Sequence, residues 1–227
     1  MEYIIIENSI DISKFKNDNF DELSVDIEGD NLCRDGKIYT IQVYSPKSNK
    51  FYLFDCTKLS VSEVQSGLDG IFSSYLIKKY FFDCRSDVDA LYHQYKIQLN
   101  NVIDVQLFEV GFRKCSGIAR TNFYSGLYKT LEKYSYEVGI SMTELQIKDK
   151  ISNQFRSKIY DINLNDPDVL KYLAIDVIYL PKLYNLFFRK IGHGNVFRSI
   201  QNETDKRTKI WMKPIFKNDR SNAISAI

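Results

Sequence analysis

Residues 23–29 have the sequence Leu23-Ser24-Val25-Asp26-Ile27-Glu28-Gly29, and this stretch decides how the chain is interpreted. Its apolar residues are typical of a buried strand. Because side chains alternate along a strand, Val25 and Ile27 share one face and Asp26 and Glu28 share the other. Adjacent carboxylates repel, and burying either one alone is costly. The pair therefore indicates either a solvated strand face or a face that binds a cation.

The composition is that of a globular protein with one large domain, or one domain and an arm. The chain has 227 residues, of which 44% are hydrophobic and 26% charged. Its four cysteines are scattered, no apolar run is long enough to span a bilayer, and the acidic N-terminus does not resemble a signal peptide. We therefore expect an intracellular protein, cytoplasmic or nuclear, with no membrane association.

The net charge of +2 is close to balanced. A protein that held nucleic acid by bulk electrostatics alone would be more basic. A nucleic-acid function would therefore depend on local basic patches, or on a metal that supplies positive charge at the site.

The order of the predicted elements indicates an α/β fold. The predicted strands are 3–7, 23–29, 38–44, 50–55, 79–82 and 101–104. The predicted helices are 12–17, 61–77, 86–95, 106–112 and 125–136. Short turns join the strands from 23 to 55, which predicts an antiparallel meander, and the later strands alternate with helices. This order predicts a mixed sheet, an antiparallel meander followed by parallel strands, with helices on its faces.

A last helix is predicted to begin at Asp166, a suitable N-cap, followed by Pro167 at the first helical position. Its apolar stripe continues to residue 187, and Pro181 is expected to kink or open it. Asp176 lies on this stripe, and Tyr172 lies one turn earlier on the same flank.

Each of these residues has an ordinary structural interpretation when it is considered alone. Asp87 opens a predicted helix, where the helix dipole favours an acid. Asp176 is explained equally well as a buried, partnered aspartate or as a ligand. Tyr172 suits core packing.

Taken together, the four carboxylates and the tyrosine resemble the DEDD 3′→5′ exonuclease family, in the branch whose third motif contains tyrosine. The motifs are Asp26-Ile27-Glu28, Asp87 after Cys84-Arg85-Ser86, and Tyr172-Leu173-Ala174-Ile175-Asp176. The histidine branch does not fit, because Lys171 stands five residues before Asp176. The likeness is to RNase D-like proteins, near the subgroup that includes Egalitarian. It covers residues 1–191, expected to form the exonuclease domain, and leaves 192–227 as a basic C-terminal arm.

This resemblance implies a ribonuclease H-like fold and a 3′→5′ exonuclease that hydrolyses RNA or single-stranded DNA with two Mg²⁺ or Mn²⁺ ions. In that scheme Asp26, Glu28 and Asp176 bind the ion that activates water. Asp26 bridges to a second ion, which Asp87 holds through water, and Tyr172 orients the attacking water. Some members of the subgroup have lost catalytic acids, so a non-catalytic RNA-binding adaptor on the same fold stays open as the alternative.

Basic residues near aromatic ones suggest a route for the nucleic acid. The residues concerned are Arg113, Lys114 and Arg120 with Phe123, Tyr124 and Tyr128, and later Lys148, Lys150, Arg156 and Lys158. Such residues can follow a phosphate backbone and stack bases, although a solvated surface with buried aromatics would have the same pattern. The C-terminal arm is suited either to clamp substrate or to bind a protein partner.

Overall fold

The computed structural model describes residues 1–118, 121–158 and 163–216. Its six strands are β1 (Glu2–Ile6), β2 (Glu22–Asp30), β3 (Lys37–Ser45), β4 (Lys50–Asp55), β5 (Lys78–Phe81) and β6 (Val102–Asp104). They form one sheet in the order β1-β4-β3-β2-β5-β6. The pairs β2–β3 and β3–β4 are antiparallel, whereas β1–β4, β2–β5 and β5–β6 are parallel. The predicted mixed sheet is confirmed.

The helices flank this sheet and differ from the predicted ones at several places. They are α1 (Ser9–Lys16), α2 (Val61–Phe72), α3 (Arg85–Tyr95), α4 (Val105–Cys115), α5 (Leu127–Lys133), α6 (Ser135–Val138), α7 (Met142–Lys158), α8 (Pro167–Ile178), α9 (Leu180–Ile191) and α10 (Asn195–Arg207). Helix α2 ends five residues earlier than predicted, and α7 and α10 were not predicted. No helix within the described ranges is long and apolar enough to cross a bilayer.

The segment after residue 191 contains ordered structure against the rest of the molecule. Helix α10 is followed by a 3₁₀ turn, Ile210–Met212. Trp211 in this turn stacks on Tyr92 of α3 with ring centroids 3.7 Å apart. The division of the chain at residue 191 stays a prediction, and residues 217–227, with Lys217 and Arg220, lie outside the described residues.

Strand β2 lies inside the sheet, and its face with Leu23, Val25 and Ile27 is buried in the apolar core. Leu23 and Val25 have no exposed surface, and Ile27 is 4% exposed. The parallel pairing of β5 with β2 covers only residues 22–24 of β2. Asp26 and Glu28 therefore lie where β2 has a partner on its β3 side alone, and the opposite side is open for other groups.

The end of β2 is shaped by a bulge directly after Glu28. A Cβ atom built on Gly29 would lie 2.3 Å from the carbonyl oxygen of Lys37. Only a residue without a side chain permits this close approach of β2 and β3. The bulge therefore depends on glycine at position 29 and fixes the direction in which Glu28 points.

The last predicted helix is divided into α8 and α9 at Tyr179. Asp166 caps α8 by accepting a hydrogen bond from the backbone N–H of Asp168, with Pro167 at the first position, as predicted. Pro181 lies in the first turn of α9, where its missing N–H costs nothing. The break places Asp176 in the last turn of α8, close to β2.

We expect that Gly29→Ala lowers the free energy of unfolding by about 1–3 kcal/mol, because the added methyl group collides with the Lys37 carbonyl. Gly70→Ala is the matched control, since no atom lies within 4 Å of that Cβ position in α2. It should leave stability unchanged or raise it by up to about 1 kcal/mol. Urea denaturation measures both, and equal stabilities for the two variants would contradict the close approach.

Candidate active site

Three of the predicted site acids converge at the open end of β2. Asp26, Glu28 and Asp176 each offer a carboxylate oxygen, and these oxygens all lie within 4.8 Å of one another. The first two are on β2 and the third is on α8. These acids, with Tyr172, line a hollow of about 310 Å³, and its lining also includes Phe82, Asp83, Gln106, Gly126 and Leu127.

Asp87 lies beside this group. It is the third residue of α3 and 6% exposed, and it is not among the acids whose oxygens meet within 4.8 Å in the described part of the chain. Its charge nevertheless raises the pKa of Asp26. The structure thus brings Asp87 to the edge of the acidic centre that the other three form.

The environment of the three acids disfavours their charged forms. Burial is the main cause that raises the pKa of Asp26, and repulsion from Asp176, Glu28 and Asp87 adds to it. Burial and repulsion from Asp176 raise the pKa of Glu28 to about 7. Burial also raises the pKa of Asp176. A cation bound between them would relieve both effects.

Lys148 of α7 supplies one positive charge to this centre. Its side chain is buried and forms an ion pair with Oδ1 of Asp176. The Nζ atom also lies 4.9 Å from the centroid of the Tyr172 ring. The sequence placed Lys148 among residues that follow a phosphate backbone, and the structure places it against the acids instead.

The donor set fits a hard divalent cation. Carboxylate oxygens are the ligands that Mg²⁺ and Mn²⁺ prefer, and no cysteine or histidine belongs to the described cluster. Oδ2 of Asp176 is buried without a hydrogen-bond partner. This oxygen is therefore available to a metal, whereas Oδ1 is shared with Lys148.

Tyr172 is held against Glu28. Its hydroxyl donates a hydrogen bond of 2.9 Å to Oε1 of Glu28, and its ring packs edge-on against Phe155. Burial, followed by repulsion from Asp176 and Glu28, raises the pKa of Tyr172. The phenol therefore stays protonated at neutral pH and acts as a hydrogen-bond donor.

A second depression adjoins the acidic hollow at Gly126, which lines both. This side groove, of about 610 Å³, is lined by Phe123, Tyr124, Gly126, Tyr128, Lys129 and Lys133, among others. Its aromatic and basic lining agrees with the sequence-based route for nucleic acid.

The other basic residues of that predicted route differ in their surroundings. Arg113 also lines the side groove, but its side chain is buried, pairs with Glu109 within α4 and donates to the carbonyl oxygen of Phe123. Lys150 is exposed and pairs with Asp168. Lys114 is exposed on α4. Arg120 and the side chains of Arg156 and Lys158 lie outside the part of the chain that the structure describes.

Comparison with protein families gives a match between residues 3–191 and the model of the 3′–5′ exonuclease family. The chain belongs to this family. The match covers β1 to α9 and contains all five predicted site residues. The assignment to the tyrosine-containing branch stays a prediction from the motif at residues 172–176.

Relatives of known sequence include the piRNA biogenesis protein EXD1. The chain is 34% identical to the human protein over 159 residues, which are 70% of this chain and 30% of that protein. The frog protein, from Xenopus laevis, is 33% identical over 165 residues, which are 36% of that protein. The chain therefore spans about a third of the length of these relatives.

Solved structures with the same fold include RNase D of Trypanosoma brucei in complex with RNA U12. The TM-score is 0.74 at 21% identity, covering 99% of this chain and 76% of that one. NrnC of Brucella melitensis with bound Mg²⁺ has a TM-score of 0.62 at 16% identity, covering 96% and 98%. These similarities agree with the ribonuclease H-like architecture.

We expect Lys148→Met to tighten Mn²⁺ binding about tenfold, because the substitution removes a competing positive charge from Asp176. Lys150→Met on the same helix is the matched control and should bind Mn²⁺ as the wild type does. Calorimetric titration of each protein measures the affinities. Equal affinities for all three proteins would show that Lys148 does not compete with the metal.

Proposed function

We propose that this chain is a metal-dependent 3′→5′ exonuclease that hydrolyses RNA or single-stranded nucleic acid. The observation that supports this most directly is the convergence of the Asp26, Glu28 and Asp176 oxygens within 4.8 Å. Membership of the exonuclease family and a hollow that opens toward an aromatic and basic groove agree with it.

The residues of the site have separable tasks in this proposal. Asp26, Glu28 and Asp176 would hold one divalent cation, and Asp26 with Asp87 would hold a second. The cations, Mg²⁺ or Mn²⁺, would neutralise the scissile phosphate and lower the pKa of the attacking water. Tyr172 donates to Glu28, so it keeps that carboxylate in place and stands ready to orient the attacking water.

The side groove is proposed as the path of the strand that enters the site. Phe123 and Tyr128 offer aromatic rings for bases, and Lys129 and Lys133 are exposed and could contact phosphates. The RNA-bound state of the structurally similar RNase D supports RNA as the substrate class. EXD1, named for piRNA biogenesis, points to RNA as well.

One observation favours a second candidate, a non-catalytic RNA-binding adaptor. Lys148 already neutralises Asp176, so the centre has an internal cation without any metal. An adaptor could keep this ion pair permanently and use the side groove alone to bind RNA. The two candidates differ in whether a divalent metal enters the acidic centre.

A hydrolysis assay separates them. Matched RNA and DNA oligonucleotides, labelled at the 3′ or the 5′ end, are incubated with the protein and Mg²⁺ or Mn²⁺, with EDTA as control. The exonuclease should release the 3′ label as a mononucleotide and shorten the 5′-labelled strand stepwise. Binding of RNA without any metal-dependent cleavage would favour the adaptor.

We expect Asp26→Asn and Asp176→Asn to lower kcat by about 10³-fold or more, because metal-derived stabilisation of several kcal/mol is lost. Tyr172→Phe should lower kcat by a smaller factor, since it removes one hydrogen bond and leaves the acids in place. Single-turnover rates measure the effects, with circular dichroism to verify folding. Wild-type rates for Asp26→Asn in Mg²⁺ would refute the metal assignment.

Affinity for single-stranded RNA should fall steeply as salt rises, because lysines in the side groove would displace counterions from phosphates. Lys129→Ser should weaken binding and reduce the salt slope by about one unit. Lys14→Ser, at an exposed position on α1, is the control and should change neither. Fluorescence anisotropy between low and high salt gives both quantities. An unchanged slope for Lys129→Ser would remove the side groove from the path.

A further inference from the structure

Helix α10 lies beyond the matched family region, yet it packs closely on the domain. A Cβ atom built on Gly111 of α4 would lie 2.6 Å from Cδ1 of Ile200 and 3.1 Å from Cγ1 of Val196. Glycine at position 111 thus allows α10 to approach α4 at short distance. Ile200 has no exposed surface, so α10 is firmly docked.

The docking of α10 carries Arg207, its last residue, to the loops beside the acidic hollow. Arg207 is 2% exposed. Its Nη1 donates to Oδ2 of Asp104 at 2.7 Å, to Oε1 of Gln106 at 2.9 Å and to Oδ1 of Asp83 at 3.3 Å. The guanidinium lies over the ring of Tyr124, 4.5 Å from its centroid.

Asp104 connects Arg207 to the start of α3. Its carboxylate accepts hydrogen bonds from the backbone N–H groups of Asp83 and Cys84 at 2.9 and 3.1 Å. Although burial alone would raise the pKa of Asp104, Arg207 and these N–H groups lower it, so the carboxylate is charged. The charged carboxylate thereby fixes the turn that precedes α3, the helix that contains Asp87.

Gln106 connects Arg207 to the loop in front of α5. Its Oε1 accepts from Arg207, and its Nε2 donates to the carbonyl oxygen of Ser125 at 3.1 Å. The next residue, Gly126, lines both the acidic hollow and the side groove. Tyr124, which Arg207 covers, lines the side groove as well.

We propose that Arg207 is a positioning residue that holds the substrate-facing wall of the site in place. It reaches Asp83 and Gln106, which line the hollow, and Tyr124, which lines the side groove, whereas the converging acids are on β2 and α8. This inference rests on the proposed function, because it assigns to that site the segment that shapes its nucleic-acid side.

Loss of Arg207 should therefore affect nucleic-acid binding and leave metal binding intact. In Arg207→Met, Asp104 keeps its backbone donors, so the turn before Asp87 and the acidic centre on β2 and α8 stay in place. Gln106 and Tyr124 lose their contacts with the guanidinium, so the loop in front of α5 would loosen. A lysine at this position can retain the charge near Asp104 but cannot lay a planar group over Tyr124. Arg207→Lys should thus restore part of the function.

The test uses the full chain and two binding measurements. A short fluorescein-labelled single-stranded RNA is titrated with protein in EDTA, and Mn²⁺ is titrated by calorimetry. We expect Arg207→Met to weaken RNA binding about tenfold with Mn²⁺ affinity within about twofold of the wild type. The RNA affinity of Arg207→Lys should lie between those of Arg207→Met and the wild type. Arg198→Met, at an exposed position on the same helix, is the matched control and should match the wild type.

Three results would overturn the proposal. They are wild-type RNA affinity in Arg207→Met, a parallel loss of RNA and Mn²⁺ affinity, and a wild-type protein that does not bind RNA. Should Arg207→Met fail to fold, Arg207→Lys and Gln106→Leu take its place. Gln106→Leu cuts the tether to Ser125 and keeps the ion pair, and wild-type RNA affinity in both variants would overturn the proposal too.

The outcome is separable from that of the proposed function. RNA binding in EDTA requires no hydrolysis, so a protein that binds RNA without cutting it would refute the exonuclease and still decide the role of Arg207. Conversely, an active enzyme whose Arg207→Met variant binds RNA normally would keep the exonuclease and reject the positioning role.

Discussion

Repulsion among carboxylates held at low solvent exposure is the constraint on which the rest of this structure depends. The oxygens of Asp26, Glu28 and Asp176 are brought together by the register of β2, by the bulge after Glu28 and by the position of α8. Each of these features works against the electrostatic preference of the acids to separate. The ion pair with Lys148 offsets part of this repulsion, the raised pKa values of the acids favour their neutral forms, and a bound divalent cation would relieve the repulsion further.

Two buried carboxylates in this molecule are each neutralised by a cation from a different helix. Asp176 at the acidic centre is paired with Lys148 from α7, and Asp104, which accepts from the backbone of Asp83 and Gln106, is paired with Arg207 from α10. In each case the carboxylate belongs to the matched family region and the cation is carried by a helix on the outside of the sheet. The difference lies in access, because Asp176 borders an open hollow, whereas Asp104 has no exposed surface.

The sequence was informative wherever a regular period was interrupted by a charge. Asp26 and Glu28 stood out against the alternation of a buried strand, and Asp176 against the stripe of a helix. The strand bounds were predicted closely, because β-branched and aromatic runs ended at clear turn residues. The two helices that were missed have polar residues on their buried faces. Ile200, Thr204 and Arg207 are the buried residues of α10, so its apolar stripe was too short to be recognised.

The partners of the acids could not be predicted for a related reason. Lys148 and Arg207 lie 28 and 103 residues from the carboxylates that they neutralise, and a lysine or arginine in sequence looks the same whether it faces water or a buried acid. The placement of α10 on α4 decides the position of Arg207, and the close approach at Gly111 could be found only from coordinates.

The position of Arg207 along the chain has a consequence for biosynthesis. A ribosome makes the polypeptide from its N-terminus, so Asp83, Asp104 and Gln106 emerge long before the residue that joins them. Until residue 207 leaves the exit tunnel, Asp104 lacks its counter-charge, and Asp83 and Gln106 are not yet joined through Arg207. The part of the hollow that contains Asp83 and Gln106 is thus completed only after α10 has been synthesised.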